Sequence, residues 1–195
     1  RNAREIILKA LKKKSLVLVD GGGCTGKSTF ACRLAKHINA TIVDVDTIYA
    51  QWLMKNASMM YRDYDYFCEN EASLSDEYIL KNIQQIIEKS SENGSVILVG
   101  SYIDTMHRAI VSKTLGQYFE QVISIYFFPK DLDELITLAT SRCIEFNRML
   151  TAEDVDELLK GYAISENIIR DFRSDLGIGM TDSFICSISE SDMFA

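Results

Sequence analysis

Residues 15–28 read Ser15-Leu16-Val17-Leu18-Val19-Asp20-Gly21-Gly22-Gly23-Cys24-Thr25-Gly26-Lys27-Ser28, and the helix-forming run Thr29-Phe30-Ala31-Cys32-Arg33-Leu34-Ala35 follows. An apolar strand running into G-x-x-x-x-G-K-[ST] and then into a helix is the full context of a phosphate loop. The glycines permit backbone conformations closed to residues with a Cβ. Inward-pointing N–H groups and the positive end of the next helix then make an anion site from Gly21, Gly22, Gly23, Cys24, Thr25, Gly26 and Thr29. In such a loop Lys27 reaches the β- and γ-phosphates and the Ser28 hydroxyl ligates Mg²⁺. The stretch therefore implies binding of a nucleoside triphosphate, with ATP and Mg²⁺ as the expected cofactors.

Outward from the loop, four short apolar runs at 15–20, 41–45, 95–100 and 122–128 predict buried strands, and a fifth run at 183–188 is weaker. Helical patterns separate them. Ile79, Ile83, Ile86 and Ile87 share one face, with Ser73 and Asp76 as a capping box. Leu132, Leu135, Ile136, Ala139 and Cys143 share another. Val155, Leu158, Leu159 and Tyr162 form a third stripe, with Thr151 and Asp154 as a second capping box. Alternating strands and helices predict a three-layer α/β/α domain over residues 1–195, with a mostly parallel five-stranded sheet. In such sheets ligands collect beyond the C-terminal ends of the strands.

Composition narrows the partners. The net charge of −7 argues against nucleic acid as a main partner, because that binding needs Lys and Arg to neutralise phosphates. No apolar run approaches the roughly 20 residues that cross a bilayer. The first 14 residues read as a basic helix with apolar Ile6, Ile7, Ala10 and Leu11, not as a signal sequence. Five scattered cysteines without a C-x-x-C pair suit free thiols in a reducing, cytoplasmic setting. A small-molecule partner is expected, and a homo-oligomer is left open.

Two further segments carry candidate chemistry. Strand 41–45 runs into Asp44-Val45-Asp46, and strand alternation puts both carboxylates on one side if extension continues that far. At the ligand end of the sheet a carboxylate can ligate Mg²⁺ or accept a proton from an attacking hydroxyl; alternatively the pair caps the next helix. The segment Tyr61-Arg62-Asp63-Tyr64-Asp65-Tyr66-Phe67 reads as a loop whose aromatics stack on a base or tuck over the core.

The run from Val17 to Tyr49 resembles the opening of the uridine kinase-like group of P-loop nucleoside and small-molecule kinases, and the likeness extends over roughly residues 15 to 145. The resemblance implies a P-loop kinase fold and transfer of a phosphoryl group from ATP to a hydroxyl, uridine or cytidine being the first acceptor it suggests. In Asp46-Thr47-Ile48-Tyr49 it makes Asp46 the general base and Tyr49 part of the acceptor site, and in Tyr64-Asp65-Tyr66-Phe67 it makes Asp65 the ribose contact. It leaves Asp44 beside Ser28 for the metal and puts Tyr102 and His107 in the acceptor pocket. The segment 141–151 stands where the family has its lid, with Arg142, and after it Arg148, facing the phosphates. One departure stands out: the family's third strand ends in Glu-Gly, where this chain has Val99-Gly100. That departure leaves room for a nucleotide-binding protein with little turnover. Against a switch-type GTPase, no strand beyond the phosphate loop is followed by Asp-x-x-Gly, and there is no Asn-Lys-x-Asp.

Overall fold

The computed structural model describes residues 3–100, 113–171, 182–187 and 193–194. Helix α1 (Ala3–Ala10) leads into β1 (Ser15–Gly21), α2 (Lys27–Ile38), β2 (Thr41–Asp44), α3 (Val45–Arg62) and α4 (Tyr64–Ser91). Then come β3 (Val96–Val99), β4 (Gln121–Phe128), α5 (Leu132–Glu145), α6 (Ala152–Asp171) and β5 (Asp182–Ser187). The five strands form one sheet in the order β2-β3-β1-β4-β5, and every pairing is parallel. The expected three-layer α/β/α architecture is present, with each strand within a residue or so of its predicted run.

Strand alternation divides the core into two layers. Val17, Val19, Ile97 and Val99 point to one face, where they pack with Phe30 and Leu34 of α2 and with Ile7 of α1. Leu16, Leu18, Val96 and Leu98 point to the other, against Val45 and Ile48 of α3 and Ile79, Ile83 and Ile87 of α4. All seven residues of β1 are buried, as befits the central strand of a sheet covered on both sides. Burial on this scale is the main driving force for the fold.

The order of the strands positions the site. The chain leaves β1 through α2 toward β2 on one side, and after β3 it reappears at β4 on the other. The crossover directions therefore diverge beside β1, which opens a crevice at the C-terminal ends of β1 and β3.

Residues 61–67 correct the sequence reading. They are helical on both sides of Asp63, so α3 and α4 form an antiparallel hairpin instead of flanking a loop. Asp63 caps α4 by accepting the Tyr66 N–H at 3.1 Å. Trp52 stacks on Tyr49 at 6.1 Å and on Phe67 at 5.7 Å, which ties the two helices together. Helix α4 continues through Ser73 and Asp76, so no helix begins there. The second predicted box is present: the Asp154 N–H donates to the Thr151 hydroxyl at 3.2 Å, and the Thr151 N–H donates to the Asp154 carboxylate at 2.8 Å. Among the described residues, no helix is long and apolar enough to cross a membrane.

Candidate active site

The phosphate loop starts with a geometric demand at the end of β1. Gly21 has φ 147°, and a Cβ there would lie 2.6 Å from the Phe127 carbonyl oxygen of β4. Only glycine fits the turn that lifts the chain out of the sheet. Gly26, at φ 80°, occupies the N-cap position of α2 and carries no side chain, so the first N–H groups of the helix stay open to an anion. Inside the loop, the Thr25 hydroxyl and the Lys27 ammonium both donate to the Gly22 carbonyl, at 2.8 and 3.0 Å. Cys24 holds φ 61°, a left-handed conformation that costs a residue with a Cβ about 1–2 kcal/mol. Ser28 and Thr29 stand exposed on the first turn of α2.

Three charged side chains converge on Lys27 from three different elements. Burial pulls the Lys27 ammonium below its ordinary pKa, while Asp46 and then Asp20 pull it back up; Arg142 adds to the lowering. Asp46 shows the reciprocal pattern. Loss of solvent raises its carboxyl above the usual range, Lys27 opposes that shift, Asp44 reinforces it, and Arg142 opposes it more weakly. Burial sets the direction of both shifts, and Asp46 and Lys27 each oppose the other's, with the Arg142 charge felt by both; the three belong to one electrostatic site.

Asp46 is placed differently from the sequence reading. The strand ends at Asp44, and the chain turns at once into α3. The Asp44 carboxylate caps that helix by accepting the Asp46 N–H at 2.9 Å. Asp44 therefore caps α3 and stands close enough to Asp46 to reinforce the rise of its carboxyl, and Asp46 lies in the first helical turn instead of on an extended strand. Gly100 is what permits this turn to sit so close. A Cβ at position 100 would be 2.6 Å from the Val45 Cβ.

Arg142, near the C-terminal end of α5, reaches over the loop, with its Nη1 3.9 Å from the Cys24 Sγ. Beneath it lies a cavity of about 380 Å³ between loop residues Gly22–Thr25 and the α5–α6 pair, walled by Leu135, Ala139, Phe146, Leu158 and Tyr162. Arg148 lines the same cavity but is engaged elsewhere: it pairs with Asp154 at 3.2 Å and approaches the Cys143 Sγ at 3.6 Å. The segment expected as a lid is compact. Asn147 ends α5 in the left-handed conformation (φ 52°), the Arg148 N–H returns to the Cys143 carbonyl at 2.8 Å, and α6 begins at Ala152.

The acceptor side is assembled only in part. Tyr49 packs against the core beside Asp46, one helical turn along α3. Asp65 is exposed in the first turn of α4, at the opposite end of the α3–α4 hairpin. The 16 steps along α3 from Asp46 to Arg62 span about 24 Å at the usual rise per residue. The structure thus keeps Asp65 away from the loop, because the segment that carries it is helical and not a loop folding back. Tyr102 and His107 lie outside the described residues. Two residues escaped the sequence reading. Asp20, 2% exposed at the end of β1, accepts the Gly21 N–H at 2.7 Å. Gly100 matters because of its contact with Val45. A carboxylate ending an otherwise apolar strand was the available signal for Asp20.

Ser28, Asp44 and Asp46 offer hydroxyl and carboxylate oxygens, which are hard donors suited to Mg²⁺. Among the described residues, no three His, Cys, Asp or Glu side chains are grouped closely enough to hold an ion on their own. The donor set fits an ion that arrives with phosphate oxygens and water, the usual arrangement for Mg²⁺.

Solved structures show the same fold. A protein of the PezAT chromosomal toxin–antitoxin system of Streptococcus pneumoniae superposes with a TM-score of 0.60 at 16% identity, covering 96% of this chain and 75% of that one. A gluconokinase from Sinorhizobium meliloti gives 0.57 at 12% identity, covering 93% and 89%. A shikimate kinase from Bacteroides thetaiotaomicron gives 0.53 at 14% identity, covering 92% and 94%. No family model matches the sequence, and no curated protein matches it. The chain has the P-loop kinase fold. These likenesses show the fold and do not single out a uridine kinase-like branch.

Proposed function

We propose that this protein transfers the γ-phosphoryl group of ATP to a hydroxyl group of a small acceptor. The observation that carries the reading is a formed phosphate loop with Lys27 on the Gly22 carbonyl and Arg142 reaching over Cys24, and with Asp46 close enough to oppose the burial-driven lowering of the Lys27 ammonium. Loop amides and the N-terminus of α2 hold the phosphates, and Lys27 leaves the Gly22 carbonyl to neutralise the β- and γ-oxygens. Asp46 accepts the proton of the acceptor hydroxyl as its oxygen bonds to the γ-phosphorus. The bond from that phosphorus to the bridging oxygen breaks, and ADP departs with the electron pair. Arg142 lies on the far side of the loop, positioned to offset negative charge on the group in transfer. Ser28 and Asp44 are the residues that would hold Mg²⁺, which would supply neutralisation of the phosphate charge.

Nucleoside-specific support is thin. Asp65, the residue that the resemblance assigns to a ribose, lies in the first turn of α4, about 24 Å of helix along α3 from Asp46. The remaining acceptor-side residues, Asp46 and Tyr49, serve any small polyhydroxylated molecule. The proposed acceptor class is therefore a small polyol, with nucleosides and sugar acids as its first members to test. Incubation with γ-labelled ATP, Mg²⁺ and a panel of nucleosides, sugars and sugar acids tests this directly. Label on any acceptor supports transfer, and ATP binding without a labelled product from the whole panel contradicts it. That second outcome would favour a nucleotide-binding protein with little turnover, a reading that draws on the apolar Val99 at the end of β3.

A further inference from the structure

We infer that Asp20 is a positioning residue that couples Mg²⁺ to triphosphate binding from the end of β1. The inference rests on the proposed use of ATP. It starts from strand alternation. Leu16 and Leu18 face the α3 side of the sheet, and Val17 and Val19 face α2. Asp20 continues the Leu16–Leu18 series, so it stands on the face where Val45 and Ile48 anchor the start of α3. Val99 belongs to the opposite series, with Ile97 and Phe30. A carboxylate at position 99 would face α2, away from Asp46.

Register brings the two strand ends level. Val19 pairs with Val99, and the Gly100 N–H donates to the Val19 carbonyl at 3.2 Å. Asp20 is the next residue, at the rim of the crevice and directly before the loop. It is 2% exposed, and a carboxylate is rarely buried so deeply without a structural or functional reason. Its Oδ1 accepts the Gly21 N–H at 2.7 Å, a bond that also fixes the turn into the loop. Its charge is felt by Lys27 after that of Asp46. Asp20 and Asp46 thus act on the loop lysine from β1 and α3. Mg²⁺ keeps several of its waters in phosphate sites. A buried carboxylate at the rim orients such waters without being an ion ligand itself, as outer-shell groups commonly do.

The test is Asp20→Asn, which keeps an oxygen for the Gly21 N–H and removes the charge. ATP affinity is measured by calorimetry on the full chain, once in excess Mg²⁺ and once in a chelator. In the wild type, Mg²⁺ tightens ATP binding. In the variant, affinity in the chelator stays within about twofold or improves, while the Mg²⁺ enhancement falls about tenfold or more, the usual effect of losing an outer-shell partner. An unchanged enhancement overturns the inference and leaves the proposed function standing. Loss of binding in the chelator as well makes Asp20 a structural part of the loop and also overturns it. A wild type that binds no ATP under either condition overturns the ATP reading itself, and this inference with it.

Discussion

The donor half of the crevice and its acceptor half are built by different means. On the donor side, β1, the phosphate loop and the start of α2 form one continuous stretch of chain, residues 15–38, held by backbone geometry. Gly21 is forced by the Phe127 carbonyl, Gly26 leaves the end of α2 open, and Lys27 is parked on a loop carbonyl. On the acceptor side the contributing groups come from separate places: Asp46 from the start of α3, Tyr49 one turn later and Arg142 from α5. The contrast teaches that triphosphate binding is a local property of this chain, whereas the reaction depends on how accurately α3 and α5 are docked against the loop.

Perturbations should separate the two halves. Lys27→Ala removes the donor side's only buried cation and should lower ATP-dependent turnover by at least about 10²-fold, the scale of losing one well-placed charge-stabilising group; nucleotide titration should show the matching loss of affinity. Gly100→Ala strikes the docking of α3 instead. Its Cβ would meet Val45 at 2.6 Å, and such overpacking typically costs about 1–3 kcal/mol. The denaturation midpoint should fall at an unchanged m-value, and turnover should drop more than ATP affinity. If affinity falls as steeply as turnover, the halves are not separable.

Smaller effects fall farther from the loop. Asp154→Ala removes both the α6 cap and the partner of Arg148, and should lower the melting temperature modestly. The Asp154 carboxyl lies below its ordinary pKa, first because of the Thr151 N–H, then the Thr151 hydroxyl, and then Arg148. Its contribution is therefore fully present above the unfolded value of about 3.9 and is lost as pH falls through the lowered folded value. The gap between wild type and variant should be constant near neutrality and close in acid; a gap that widens on acidification contradicts the cap. Asp65→Asn should change the KM of any acceptor by less than about twofold, the normal range for an exposed substitution distant from a site. A larger KM effect would return Asp65 to the acceptor site and require the α3–α4 hairpin to reorganise.

Legibility in the sequence follows the same divide. The strands were readable because each is a short apolar run, and the loop because its glycines and lysine hold fixed spacings. The Thr151–Asp154 cap was readable because it is local. The α3–α4 hairpin was not. Residues 61–67 are charged and aromatic, which looks like a loop, but Asp63 caps a new helix and the Trp52–Phe67 stack fixes it from a distance in sequence. Ser73 and Asp76 carry a helix-start pattern inside a helix already under way, where the pattern has no free N–H groups to satisfy. Asp44 and Asp46 were found as a pair, yet their division of labour depends on where β2 stops, which composition does not mark. The importance of Gly100 appears only when Val45 is seen against it.

The central claim is that Asp46 serves the reaction and not the binding of ATP. The most direct test is Asp46→Asn, followed by ATP affinity and by single-turnover label transfer to the best acceptor of the panel. The account predicts ATP affinity within about twofold of wild type and transfer slowed by about 10²-fold or more, the usual contribution of a positioned base. Transfer at the wild-type rate would contradict it.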